Sequence, residues 1–332
     1  MLILALWTLF FLASLAMAIG AHVSGSLRLA ERLRDTNRGI LLAQAGLANV
    51  IRDLGADTNG WDAVTEPWSR DEERFRNVPL GDGAYTVSCV DVEPSGRQTI
   101  RHGLIDEERK VNLNQADTNL LVSFFCVIGR QNQQEAAELV GSIGRYWTTK
   151  NERAGVKDRQ LTAKVETSYS PRQDGAGLCF ESLNELMVVS GVTPELYDRV
   201  EPFCTVYGLG KVNINTASPE VLRALLHAGT GGDKQIDVGR WVEALIAFRA
   251  AGHIFELKGR GMEDLRSSAR AMPDAATLDS ALVRLRGSDI SVRSTCFRGT
   301  VTARVRGHAS DDGRIDFVYD RERGANVLWR RY

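Results

Sequence analysis

Residues 1–21, MLILALWTLFFLASLAMAIGA, carry no charge, and their only polar side chains are Thr8 and Ser14. A helix of about 20 such residues spans a hydrocarbon layer ~30 Å thick. The first basic residue is Arg28 and the first acidic one is Glu31. Beyond the apolar run the helical period continues. Leu33, Ile40, Leu47 and Leu54 recur every seven residues, Ala43 and Val50 fill the seam between them, and Arg28, Arg32, Asp35, Arg38 and Arg52 take other faces. No proline interrupts, and Gly20, Gly25, Gly39 and Gly46 only soften the stretch. The spacing predicts one long helix over Met1–Leu54, half in a membrane and half against a soluble domain. A cleaved signal peptide would show a basic segment before a shorter apolar core, which this run does not. The arginines all follow the span, so charge does not set its orientation.

The remaining composition is that of a globular protein: 332 residues, 43% hydrophobic and 25% charged, with net charge -1. This balance argues against general electrostatic attraction to nucleic acid. Five scattered cysteines (Cys89, Cys126, Cys179, Cys204, Cys296) form no CxxC pair. In an oxidising compartment Cys179 and Cys204 could bridge; otherwise most are small buried apolar residues.

After the helix, Gly55–Gly83 reads as a loop with two exposed-looking tryptophans, Trp61 and Trp68. Tyr85, Val87 and Cys89 alternate with polar residues as in a half-buried strand, Pro94-Ser95-Gly96 marks a turn, and Gln98–Ile105 reads as the return strand. From about Val111 to Leu285 the signals are helical. Ser182 with Glu185 fits a capping box stopped by Gly191. Thr193-Pro194-Glu195 and Ser218-Pro219-Glu220 each offer an N-cap, a first-turn proline and an acid. A further helix is expected over Ile236–Ala250. The bundle contains an echo: Lys110-Val111-Asn112-Leu113-Asn114 returns 101 positions later as Lys211-Val212-Asn213-Ile214-Asn215. The apolar members should pack inward, while Asn112, Asn114, Asn213 and Asn215 hold backbone in Asx-type turns. From Asp289 the period is two again, with Ile290–Cys296, Val301–Val305 and Ile315–Tyr319 as strands, Ser310–Gly313 as a hairpin turn, and Val327–Trp329 closing the chain. The fold class is α+β. A long helix packs on an antiparallel sheet, and a large all-α domain is inserted into that sheet.

No enzyme motif is present. No two histidines stand four apart, there is no GxSxG, and Gly210-Lys211 lacks the rest of a phosphate loop. Asp106-Glu107-Glu108 suits either calcium ligands or a solvated loop; Asp311-Asp312 suits a turn.

The apolar LILALWTLFFLASLA segment running into an arginine-bearing helix resembles type IV pilin-like proteins. ESLNELMVVSGVTPELYDRVEPFCTVYGLGKVNINTASPEVLRALL and the ending FRGTVTARVRG…VLWRRY look like the minor pseudopilin K family of type II secretion. The resemblance covers almost the whole chain. It implies a single-pass inner-membrane protein with a transmembrane segment at 1–21 and a periplasmic pilin-like domain at 22–108 and 288–332, interrupted by a helical insertion at 109–287. The implied role is non-enzymatic: initiating the tip of a short pseudopilus that supports protein export. Its partners would be other minor pseudopilins, membrane lipid and the secretion platform, with no nucleic acid and no small-molecule substrate. Leu4, Ala5, Leu6, Trp7, Phe10 and Phe11 would pack on neighbouring helices. A sheet would cover the face around Leu33, Ile40 and Leu47, so that Ile40→Asp cripples folding.

Most pilin-like proteins carry a Glu at the fifth mature position to neutralise a neighbour's ammonium; there is no acid around Leu4–Leu6, as in pseudopilin K. The family's basic leader ending in Gly does not precede the apolar run, so the precursor start is expected to be missing or misassigned. Calcium is implied in the insertion. However, the acidic D-W-x-D-type stretch that would bind it reads Arg145-Tyr146-Trp147-Thr148-Thr149-Lys150, and no ligand carries over. KVNINTAS before a helix also resembles exported helix-hairpin-helix DNA-binding proteins of competence systems. The hairpin Ser190-Gly191-Val192-Thr193 has one glycine, no adjacent lysine, and Glu195 where a phosphate would sit. A tip pilin of a related filament is a third reading.

Overall fold

The computed structural model describes residues 2–92, 98–153, 179–231, 238–257, 262–269, 275–308 and 311–332. The expected turn at Pro94-Ser95-Gly96, Ile236 and Ser310 lie outside them. Helix α1 runs unbroken over Leu2–Ala56, about 80 Å at 1.5 Å per residue. Its first two-thirds lie clear of the body, and burial begins at Gly39. The buried seam is Gly39, Leu42, Ala43, Gly46, Leu47, Val50 and Leu54. Leu33 is therefore not part of it, being 57% exposed, and Ile40 is only half-buried. Leu33 lies on the part of α1 that projects beyond the body, where its neighbours Arg32 and Thr36 are exposed as well.

Two glycines in this seam are sites of contact. A Cβ on Gly39 would lie 2.4 Å from the backbone carbon of Asp312, and one on Gly46 would lie 2.7 Å from the Tyr85 ring. They let the helix backbone itself approach the sheet, a role that a reading of helix propensity does not reveal.

The chain continues through a one-turn helix α2 (Glu72–Phe75) and strands β1 (Val78–Leu80), β2 (Gly83–Val92), β3 (Gln98–His102) and β4 (Ile105–Asp106). The expected return strand is thus broken at Gly103, whose φ is 142°. A side chain there would lie 2.2 Å from the Ser69 carbonyl oxygen. The tryptophans are not exposed. Trp68 is buried edge-on against Phe297, with ring centroids 5.0 Å apart and its indole N–H donating to Glu66. Trp61 packs half-buried on the helical core.

The middle of the chain is two similar halves. The first comprises β5 (Val111–Asn112), α3 (Thr118–Val127), α4 (Gln133–Arg153), a short 3₁₀ helix (Leu183–Val188), α5 (Pro194–Val200) and β6 (Cys204–Thr205). The second comprises β7 (Val212–Asn213), α6 (Pro219–Gly229), α7 (Val238–Ala250), α8 (Met262–Ala269), α9 (Ala275–Arg284) and β8 (Ile290–Ser291). β5 pairs parallel with β6, and β7 with β8. The caps sit where the sequence put them. Ser182 and Glu185 make a reciprocal capping box, and Thr193 and Ser218 accept from the amides of Leu196 and Val221. One buried cluster, from Val111 to Val292, fills this region.

Strands β9 (Cys296–Val305), β10 (Gly313–Asp320) and β11 (Ala325–Arg331) complete the main sheet. Its order is β1-β2-β9-β10-β11, with β3 beside β2 and β4 beside β9. All these pairings are antiparallel. The register sets Val87 opposite Val301 and Val301 opposite Ile315. Period-two alternation then turns Tyr85, Val87, Phe297, Val301, Ala303, Ile315 and Phe317 onto α1 as a second buried cluster. The run Ile290–Cys296 is not one strand. Ile290 and Val292 belong to the helical core, and Ser294 and Thr295 are hydrogen-bonded at the boundary between the two clusters.

Candidate functional site

Two features stand out: an unpartnered apolar helix and a buried acidic junction. On α1, Leu4, Leu6, Trp7, Phe10 and Phe11 are all at least two-thirds exposed, Trp7 by 72%. Ala5 lies on the same helix, and its side chain is outside the described set. Among the described residues α1 is the one helix long and apolar enough to cross a membrane. A surface of this size does not stay in water. It needs lipid or other apolar helices against it.

The junction is built by Asp106-Glu107-Glu108, which the structure buries completely instead of leaving in a solvated loop. Asp106 accepts from the side chains of Ser294 (2.6 Å), Thr216 (2.6 Å) and Asn213 (3.2 Å) and from the Glu108 amide (2.8 Å). Glu108 accepts from the Thr295 hydroxyl (2.6 Å), the Leu209 amide (3.2 Å), the Cys296 amide (3.3 Å) and the Thr295 amide. Glu107 pairs with Arg298 (2.5 Å) and Lys110 (3.3 Å) and accepts from the Thr205 hydroxyl.

Burial alone would raise all three carboxyls. Arg298 and Lys110 outweigh it at Glu107 and hold its pKa at about 2. Among the described residues Asp106 and Glu108 contact no cation, and both are pushed upward, Asp106 by burial and Glu108 by burial and then by the charge of Asp106. The triplet therefore ties β4 and β9 of the sheet to β6 and β7 of the helical region through one hydrogen-bond network.

The Asn tetrads enter this network unequally. Asn114 embraces the Phe180 backbone, donating to its carbonyl (2.9 Å) and accepting from its amide (3.0 Å), and Asn215 does the same to Phe255 (3.0 and 2.9 Å). Asn112 and Asn213 each accept from the amide two residues on. Their side-chain amides then diverge. Asn112 donates to Tyr207 and Gly208 carbonyls, whereas Asn213 donates to the Asp62 carbonyl, Asp106 and Ser294. One copy of the repeat serves the helical core, and the other fastens it to the sheet.

Asp57, Asp62 and Glu66 bring carboxylate oxygens within 4.8 Å of one another. Arg321 pairs with Asp62 (2.8 Å) and lies 3.5 Å from Asp57, while Asn59, Ala63 and Trp68 donate to Glu66, so Asp62 and Glu66 are engaged from within the chain and Asp57 Oδ2 is buried with no hydrogen bond among the described residues. His227 Nδ1 lies 3.0 Å from Ser123 Oγ, but no carboxylate among the described residues orients the ring. A cleft of about 320 Å³ between sheet and helical region mixes Arg109, Lys110, Arg298 and Arg330 with Asp91, Glu201 and Asp316, so its charges nearly cancel. Among the described residues no disulfide joins the cysteines, so the bridge considered for Cys179 and Cys204 is not formed here, and Cys204 lies buried in the helical core.

One solved structure shares this arrangement over nearly its full length. It is a chain of the GspK-GspI-GspJ complex from the type 2 secretion system of enterotoxigenic Escherichia coli. The superposition covers 94% of this chain and 99% of that one, with a TM-score of 0.53 and 14% identity. The fold is pseudopilin-like. No family model matches the sequence, and no curated protein matches it.

Proposed function

We propose that this chain is a non-enzymatic minor pseudopilin of a type II secretion system. In this reading α1 anchors it in the inner membrane with the bulk of the chain in the periplasm. It joins other minor pseudopilins at the tip of a short pseudopilus and helps to start assembly in support of protein export. The observation that carries the proposal is near-complete mutual coverage with a chain of a pseudopilin complex, joined to an α1 whose apolar face is wholly uncovered. The tip position rests on charge. An acid buried in a filament core needs a partner ammonium, and α1 offers none before Glu31. Such a subunit can be held from below but cannot neutralise a neighbour above.

The test is co-purification of the full-length chain with the minor pseudopilins encoded beside it, followed by native mass determination. A complex with one copy of this chain, unaffected by DNA, is the expected result. No complex, with salt-sensitive retention on DNA, would overturn the proposal in favour of a nucleic-acid-binding protein.

A further inference from the structure

The resemblance to pseudopilin K implies calcium in the helical insertion, and the structure allows the fit to be examined on α4. Lys150 projects its ammonium into a ring of oxygens: Cys179 O at 2.9 Å, Glu185 Oε2 at 2.8 Å and Glu181 Oε1 at 3.3 Å. One carbonyl and two carboxylates form a donor set of the kind that Ca²⁺ uses. Here the distances are those of N⁺–H···O⁻ bonds, and the centre of the ring is taken by a fixed positive charge. The remaining valences of Glu185 are filled as well. Tyr146 donates to Oε2 (2.8 Å), and the amides of Glu181 (2.7 Å) and Ser182 (3.2 Å) donate to Oε1. Among the described residues, Arg145 and Arg153 line the adjoining groove with Lys150 and no acid, which makes the surroundings still less favourable to a divalent cation. Burial disfavours the ammonium, but its hydrogen bonds to Glu185 and Glu181 prevail and raise its pKa, so Lys150 stays charged. The described residues around Lys150 do not fit a calcium ion.

We propose that Lys150 is the resident cation of the insertion: its ammonium ties the end of α4 to the 179–185 segment where a metal would otherwise sit, and folding is independent of calcium. The contact joins residues 29 and 35 positions apart, so it closes a long chain loop as a bound ion would.

Thermal unfolding of the full-length chain in detergent, followed by tryptophan fluorescence, tests this independently of any partner. The wild type should give the same Tm in excess EDTA and in millimolar CaCl₂. Lys150→Ala should lower Tm in EDTA by about 3–6 °C, and CaCl₂ should restore at least half of the loss, because the vacated oxygens then accept the metal. A wild-type Tm that falls in EDTA overturns the proposal, as does an unchanged Tm for Lys150→Ala or a loss that calcium does not repair. If Lys150→Ala fails to fold, the wild-type comparison decides alone.

Discussion

Asn213 and Asp106 carry more of this molecule than their size suggests. Asn213 spends its side-chain amide on three segments at once, at Asp62, Asp106 and Ser294. Asn213→Ala should cost roughly 2–3 kcal/mol by leaving buried acceptors unpaired, whereas Asn112→Ala, at the equivalent position of the first tetrad, should leave the sheet contacts intact. Urea unfolding of the two variants, with residues of both clusters as probes, separates them. Asp106 sets a pH dependence. Its folded carboxyl binds a proton more tightly than the unfolded chain does. Stability from this group is therefore complete below the ordinary carboxyl value of about 4 and is lost as pH rises toward the raised folded value. The urea midpoint of the wild type should fall between about pH 4 and about pH 6, and Asp106→Asn should fall less over the same range. An equal fall in both would remove Asp106 from the account. Glu107 works in the opposite sense, its contribution disappearing as pH drops from the ordinary carboxyl range toward about 2.

At the scale of elements, α1 tests helix propensity against packing. Gly39 is mid-helix and buried, in close approach to the Asp312 backbone. On propensity alone Gly39→Ala gains about 1 kcal/mol; the close approach predicts a net loss of about 1–3 kcal/mol instead. Chemical denaturation gives the sign. Leu47→Ala, removing a side chain from the same seam, should cost about 2–5 kcal/mol, while Leu33→Ala should be nearly silent because Leu33 is exposed ahead of the point where α1 meets the body. The period of seven in the sequence was legible, but its phase was not. Only contact with β2, β9 and β10 fixes which arc of the cylinder is inside, and two glycines mark that arc as firmly as the leucines.

For the whole molecule, anchor and body are separable. Both buried clusters start at Leu42 or later, so deleting residues 2–26 should leave Tm unchanged while abolishing membrane association. Membrane flotation and a thermal melt of the shortened chain check the two halves of that statement. A fall in Tm would mean that the projecting helix is covered by the body after all.

Local chemistry determined much of this by itself. The uncharged run at 1–21, the period-two strands at 85–89 and 315–319, the capping box at Ser182 and the repeated Asn tetrads are written in spacings of two to seven residues, and each became the element expected. Tertiary structure decided what depends on distant partners. Asp106-Glu107-Glu108 has the composition of a surface loop, and nothing nearby in sequence announces that Ser294, Thr295 and Arg298, nearly two hundred positions away, satisfy it. The same holds for Lys150, whose role lies in the oxygens that close around it. A buried charge is tolerated only where folding delivers its counter-charge and hydrogen bonds, and that delivery is long-range.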